Sequence, residues 1–250
     1  MPLLWKQPKR ILLECDIFHE NVSREFIRAV FETMRRANWH TYQILTKRPE
    51  RMFKEMCDAT DRIDGFDSGG HIPTSFPHVW LGVSVEDQKR ADERIPWLLR
   101  TPGAVRFLSC EPLLGPVDII KPMPSEDWIA IGRGHPAEID LVVVGGESGH
   151  GARPMHPDWV RSIRDQCQEA DVPFFFKGWG EWQNGSAKGK HNQIVLNTGR
   201  VFSEADTRGA DEREWNLANP TMMAKVGKRA AGRLLDGRTW DEFPKASVPT

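Results

Sequence analysis

Nothing in this sequence of 250 residues approaches the run of roughly twenty apolar residues that a membrane helix needs. The opening Met1-Pro2-Leu3-Leu4-Trp5-Lys6 has no basic region followed by an apolar core, so no secretory leader is read and cytoplasmic residence is expected. The four cysteines, Cys15, Cys57, Cys110 and Cys167, are far apart and form no C-x-x-C pair, which disfavours a metal or iron-sulfur site built by this chain alone. Reduced, partly buried thiols are expected instead. The formal net charge is −1, so the chain as a whole lacks the electrostatic footprint of a DNA-coating protein, although local basic stretches remain. There is no G-x-x-x-x-G-K-[ST] loop and no G-x-G-x-x-G fingerprint, which disfavours nucleoside-triphosphate and Rossmann dinucleotide enzymes. Internal repeats and low-complexity tracts are also missing.

What is present is organised around Leu141-Val142-Val143-Val144-Gly145-Gly146-Glu147-Ser148. Four apolar, mostly β-branched residues read as a strand buried on both faces. The strand opens into a Gly-Gly turn that offers a carboxylate and a hydroxyl. Gly145 and Gly146 are expected to take positive φ there and let backbone approach a ligand closely.

Other segments repeat this plan. Arg10 to Asp16 reads as a strand, followed by a helix capped by Ser23 with Phe26, Ile27, Val30, Phe31 and Met34 on one face. Thr41 to Thr46 is a second strand, and Pro49 suits the first turn of a helix through about Cys57. A long polar loop is expected from Thr60 to Pro77. Val79 to Val85 is a third strand, before a helix that starts at Glu86-Asp87 and carries Ala91, Ile95, Leu98 and Leu99. Ala104 to Cys110 is a fourth, with no clear helix after it and a short apolar piece at Trp128-Ile129-Ala130-Ile131. His156-Pro157-Asp158 opens another helix with Val160, Ile163 and Cys167, and Val172 to Lys177 is the sixth strand. Beyond Gly185 the pattern changes to a hairpin around Asn197-Thr198-Gly199 and a last helix from about Thr221 to Leu235, stopped by Gly237.

Six strands with short connections predict an α/β fold, a TIM-barrel-like (β/α) partial barrel of about six parallel strands, with a carboxyl-terminal hairpin and helix. The chain reads as one barrel-like domain over 1–250, with 185–250 as an extension packed on it. On that fold Asp16, Thr46, Lys47, Arg48, Ser84, Glu86, Glu111, Glu147, Ser148 and Lys177 fall at strand carboxyl ends and ring one mouth, where such barrels hold their sites. Asp16, Lys47, Glu111 and Lys177 are the candidate catalytic groups. Arg48, Gly145, Gly146, Glu147 and Ser148 are the candidate cofactor-binding groups, Arg48 through its bidentate geometry toward phosphate or carboxylate. No metal ligand set is expected. The bland rivals are a solvated Lys47-Arg48 pair, and Glu111 and Glu147 spent in bridges with Lys177 or Arg153. His19 beside Asp16 reads as a structural histidine, and Trp179 and Trp182 either stack on a ring or cover the barrel end.

The segments Asp16-Ile17-Phe18-His19-Glu20, Leu45-Thr46-Lys47-Arg48-Pro49-Glu50-Arg51-Met52, Trp80-Leu81-Gly82-Val83-Ser84-Val85-Glu86, Ser109-Cys110-Glu111-Pro112-Leu113-Leu114-Gly115, Gly145-Gly146-Glu147-Ser148-Gly149, Ala152-Arg153-Pro154-Met155 and Phe175-Phe176-Lys177, in this order, resemble the phage Gp thirty-seven/sixty-eight family of unknown function. So does Val226-Gly227-Lys228-Arg229-Ala230-Ala231-Gly232-Arg233-Leu234-Leu235-Asp236-Gly237. The resemblance implies a radical S-adenosylmethionine (SAM)-like barrel working in a bacterial host cell on an unknown substrate, for which a nucleotide or nucleic acid is the candidate class. Relatives carry a C-x6-C-x2-C cluster and a Trp-Asn-Pro stretch ahead of the Asp16 segment; this sequence has neither. SAM is therefore a candidate cofactor, an iron-sulfur cluster is not expected on this chain alone, and a separate or missing amino-terminal region is a candidate partner. Gly145-Gly146-Glu147 resembles the element that holds the SAM amino group. A non-catalytic phage accessory protein that binds a host protein or nucleic acid, through the basic stretch from Gly185 to His191, is the alternative.

Overall fold

A computed structural model describes residues 1–13, 15–57, 76–120, 139–188, 190–203 and 219–244. Most of the expected Thr60–Pro77 loop and the Trp128–Ile131 piece lie outside the described residues. Six strands, β1 (Arg10–Leu13), β2 (Thr41–Thr46), β3 (Val79–Ser84), β4 (Val105–Cys110), β5 (Leu141–Gly145) and β6 (Phe174–Gly178), form one sheet in sequence order. Every neighbouring pair is parallel. Such an order has no reversal point, so its crossover helices collect on one face and the sheet curls into a half-barrel, as the sequence predicts.

The helices begin where the side chains dictate. Ser23 accepts from the Phe26 amide at the start of α1 (Arg24–Arg36). Asp87 caps α3 (Gln88–Arg100) by accepting from the Arg90 amide, one residue inside the expected start. Pro49 opens α2 (Pro49–Cys57), where its missing N–H costs nothing. In α4 (Pro157–Glu169) the cap is His156, whose Nδ1 accepts from the Asp158 amide. Strand alternation divides the packing in two. Ile44, Leu81, Val83, Leu108, Val142, Val144, Phe174 and Phe176 join the apolar faces of the helices in the main core. The opposite, inner face carries Trp80, Phe107 and Leu141, with Leu45, Val143 and Phe175 against them. Gly82 belongs to this face: a Cβ there would stand 2.4 Å from Cζ of Phe107, so the missing side chain makes room for the ring.

The carboxyl-terminal part corrects one expectation. Thr221 to Leu235 is not a helix. Its first residues form β10 (Thr221–Lys225), the central member of an antiparallel sheet with β7 (Trp182–Asn184), β8 (His191–Val195) and β9 (Val201–Ser203), in the order β7-β10-β8-β9. Only Lys228–Ala231 is helical, as the single turn α5. Methionine, alanine and lysine favour a helix locally, but Met223 and Ala224 are buried between two strands, and that pairing overrides propensity. The hairpin around Asn197–Gly199 is present as β8 and β9. Further along, Trp240 and Glu242 run along the free edge of β6, where the Phe176 amide donates to the Trp240 carbonyl at 2.9 Å and the Glu242 amide to that of Phe174 at 3.3 Å.

Two buried imidazoles tie these layers together. His156 Nε2 lies 2.8 Å from the Asn219 carbonyl and 2.9 Å from the Thr221 hydroxyl, so it carries the proton while Nδ1 caps α4. His78 Nε2 donates to the Met34 carbonyl at 3.1 Å. Burial pushes both rings below the ordinary 6.5. The unfolded chain therefore takes up these protons first as pH falls. Their stability contribution is complete above about pH 6.5 and is lost as pH drops through the folded-state values. Urea midpoints measured at pH 7.5 and pH 5 should show this loss, and His78→Gln should flatten it. Equal midpoints would contradict the assignment.

Candidate functional site

Because β1 to β6 are parallel, their carboxyl ends share one rim, and that rim is stitched by backbone hydrogen bonds between successive strands. The Val85 amide donates to Ser109, Leu114 to Glu86, Leu113 to Gly145, and Gly146 to Gly178, at 2.8 to 3.1 Å. The side chains expected at the mouth all lie on this rim, and the structure sorts them into separate groups.

On the β1–β2 side, the Asp16 carboxylate takes four donors: the amides of Phe18 and Lys47, the Thr46 hydroxyl at 2.6 Å and Arg48 Nη1 at 2.8 Å. Arg48 also pairs with Glu20. This is a latch between two loops, and it consumes the acceptor capacity of Asp16 and most of the fork of Arg48. His19 is structural here: its Nδ1 accepts from the Asn21 amide.

Next to it, Lys47 Nζ reaches Glu86 Oε1 at 2.7 Å, and Arg94 Nη1 holds Glu86 Oε2 at 2.9 Å while donating to the Ser84 carbonyl. Burial raises the Glu86 carboxyl, but Lys47 and Arg94 outweigh it and keep the group below the ordinary carboxylate range. Arg94, on α3, went unnoticed in the sequence; nothing in helical spacing marks which arginine turns back to a strand end.

The third group spans three strands. Glu111, just past β4, reaches over Gly145 of β5 to Lys177 of β6, with Nζ 3.2 Å from the carboxylate and the Ser109 hydroxyl at 3.4 Å. Gly145 makes this possible, since a Cβ there would lie 2.6 Å from Glu111 Oε1. Lys177 keeps about half of its side-chain surface exposed, 54%. An exposed ammonium beside a carboxylate is complementary to a zwitterion: Lys177 toward its carboxylate, Glu111 toward its ammonium.

The fourth group is closed on itself. Arg153 grips Glu147 through Nε at 2.8 Å and Nη2 at 2.9 Å, and its amide donates to the same carboxylate. The side-chain bonds from Arg153 hold the Glu147 carboxyl below its ordinary value. Ser148 is exposed beside it.

The Gly-Gly turn departs from expectation. Neither Gly145 nor Gly146 takes the left-handed conformation; Gly149 and Gly180 do, at φ +103° and +70°. What approaches Gly146 closely is the protein itself, the Trp179 carbonyl, 2.2 Å from where a Cβ would stand. Trp179 and Trp182 are buried and donate from Nε1 to the carbonyls of Leu234 and Ala152, so they cover the barrel end.

A family model described as a protein of unknown function, DUF5131, matches residues 1–244. This chain belongs to that family. The match spans both sheets, so the half-barrel and the antiparallel sheet are both part of the DUF5131 unit. No curated protein and no solved structure matches the chain.

Among the described residues the cysteines are not grouped to hold an iron-sulfur cluster. Cys110 and Cys167 are buried in the main core, where desolvation pushes both thiols up, Cys167 to about 12, and Cys15 stands alone on the surface. Among the described residues no three of His, Cys, Asp and Glu are grouped as metal ligands, and no helix is long and apolar enough to cross a membrane.

Proposed function

We propose that this DUF5131 protein is a radical-SAM-like half-barrel of phage or prophage origin, working in the cytoplasm of the bacterial host, that binds an anionic or zwitterionic small molecule at the carboxyl-end mouth without a cluster of its own. The observation that supports the reading is the Glu111–Lys177 ion pair laid over the bare backbone of Gly145, with the ammonium half exposed on the inner side of the rim. SAM and nucleotides are the ligand classes considered. SAM would meet Glu111 and Lys177 with its amino-acid end, and when bound it supplies an activated sulfonium. At the Gly145-Gly146-Glu147 element such a ligand would have to share or displace Arg153, which bonds both oxygens of Glu147.

Glu111 and Lys177 are the groups available to orient such a ligand and to hold or move a proton at its amine. Asp16 and Glu86, bound by four and two cationic or N–H/O–H partners respectively, act by holding the rim in shape. That saturation also favours a second reading, a non-catalytic binding protein of the same mouth.

Calorimetric titration with SAM, S-adenosylhomocysteine and adenosine monophosphate tests the proposal. Saturable binding of at least one is expected, weakened by about tenfold or more in Lys177→Ala, the loss of a charge-assisted hydrogen bond. If no ligand of this charge class binds the wild-type protein, or if Lys177→Ala binds as well as wild type, the reading fails.

A further inference from the structure

The cations on the β1–β4 side of the rim are spent on carboxylates: Arg48 on Asp16 and Glu20, Lys47 and Arg94 on Glu86. Lys177 and Arg153 on the β5–β6 side are likewise paired, with Glu111 and Glu147, but the antiparallel sheet is different. In the antiparallel sheet, Lys225 at the end of β10 lies opposite both Trp182, the first residue of β7, and His191, the first of β8. The buried Trp182 ring forms a floor for the pair, with the His191 ring 5.8 Å and Lys225 Nζ 5.9 Å from its centroid. Lys190 is the next residue along and is exposed.

From Lys225 the chain turns back over the end of β6. The amides of Val226 and Gly227 donate to the Glu181 carbonyl at 3.0 and 3.1 Å, and the Trp179 amide donates to the Gly232 carbonyl at 3.2 Å. Lys228 and Arg229 stand exposed on the turn held between these ties, which anchor it to the loop after β6. Two distant stretches of sequence, 190–191 and 225–229, thus meet in one band beside the loop after β6. Among the described residues none of Lys190, Lys225, Lys228 and Arg229 lies in ion-pair contact with a carboxylate. Lys225 donates to the His150 carbonyl, Glu147, which feels its charge, is gripped by Arg153, and Glu181 accepts from the Gly149 amide and is the one described acid here without a cation.

Among the described residues these four cations outnumber the acids beside them, and a local excess of positive charge fits a regularly spaced polyanion. We propose that this band binds the phosphodiester backbone of a nucleic-acid strand and leads it to the mouth of the half-barrel. The inference rests on surface charge and does not depend on a small ligand at Glu111 and Lys177. It also extends the basic contact expected at Gly185–His191: Lys190 and His191 belong to the band, and Lys225, Lys228 and Arg229, hidden in what reads as a helix, add to it.

The test is fluorescence anisotropy of a labelled oligodeoxythymidylate of about 20 nucleotides with the full chain. If four cations each neutralise one phosphate, the log–log dependence of affinity on salt has a slope near −3, and affinity falls roughly 50-fold between about 50 and 200 mM salt. The double substitution Lys228→Ala and Arg229→Ala, at exposed positions, should flatten the slope by about 1.4 and leave both the melting transition and small-ligand titration unchanged. The control Lys54→Ala with Lys89→Ala removes two surface lysines paired with Glu50 and Glu93 and should leave binding as it was. The proposal is overturned by no binding at the lowest salt, by an unchanged slope in the Lys228 and Arg229 variant, by equal loss in the control, or by polyglutamate that competes as well as the oligonucleotide.

Discussion

Replacing Gly146 with alanine is expected to destabilise the protein by about 3 kcal/mol or more, a large loss for one methyl group. The new Cβ would stand 2.2 Å from the Trp179 carbonyl oxygen and 2.5 Å from its carbon, so it meets backbone and not the movable end of a side chain. Relief requires the loop after β5 and the loop after β6 to separate. That would strain the Gly146-to-Gly178 hydrogen bond of 2.9 Å and the Glu181-to-Glu147 bond of 3.0 Å that hold the two loops together. Gly180 is the other half of the contact, at φ +70° with the Glu147 carbonyl 2.1 Å from its own Cβ position. Urea denaturation of Gly146→Ala beside wild type measures the effect. A change within about 0.5 kcal/mol, the usual range for an open surface site, would mean that the loops are not locked in this way.

Glu86→Ala is expected to cost about 3 kcal/mol, because it leaves the Arg94 guanidinium, with only 11% of its side-chain surface exposed, without its carboxylate. The Ser84 carbonyl satisfies one of its N–H groups but does not neutralise it. The double variant Glu86→Ala with Arg94→Met removes the stranded charge and should recover most of the loss. The wild-type pair also has an acid signature. Since the folded Glu86 carboxyl titrates below its unfolded value of 4.5, its contribution is complete above that value and disappears as pH falls through the folded one. Chemical denaturation of both variants, at neutral pH and near pH 4, gives these differences. If the double variant is no more stable than Glu86→Ala, the cost lies in packing at the rim and not in the uncompensated charge.

Much of the half-barrel was legible because its signals are local. Four apolar residues ahead of Gly145, Ser23 before the stripe of α1, Asp87 before α3, and His156-Pro157 before α4 each state an element or its beginning within a few residues. Parallel order followed from the alternation of strand and helix, and with it the gathering of polar strand ends on one rim. The final helix failed for the opposite reason. Whether Thr221–Lys225 is helix or strand is decided by β7 and β8, which lie well before it in sequence, and Gly227 and Gly232 inside the apparent helix were the available warning. The site was legible as a set and not as contacts. Sequence places Glu111 and Lys177 at strand ends two strands apart; only the register, with Gly145 between them, shows that they meet. In the same way Gly145-Gly146 reads as a place for a ligand, whereas the room at Gly146 is filled by the main chain of Trp179.

The sequential order of the parallel sheet also bears on how the molecule is made. Each strand from β2 to β6 pairs with the strand synthesised just before it, so the sheet can grow at one edge as the chain leaves the ribosome, without waiting for a distant partner. At the growing end the exposed template is the newest strand, and β6 inherits that position, while β1 keeps the other edge. Its edge is covered only when Trp240 to Glu242 arrive, near the end of the described chain. Assembly of the sheet therefore has a direction, and the same short segment that packs Trp240 against Phe174 is also its stop signal.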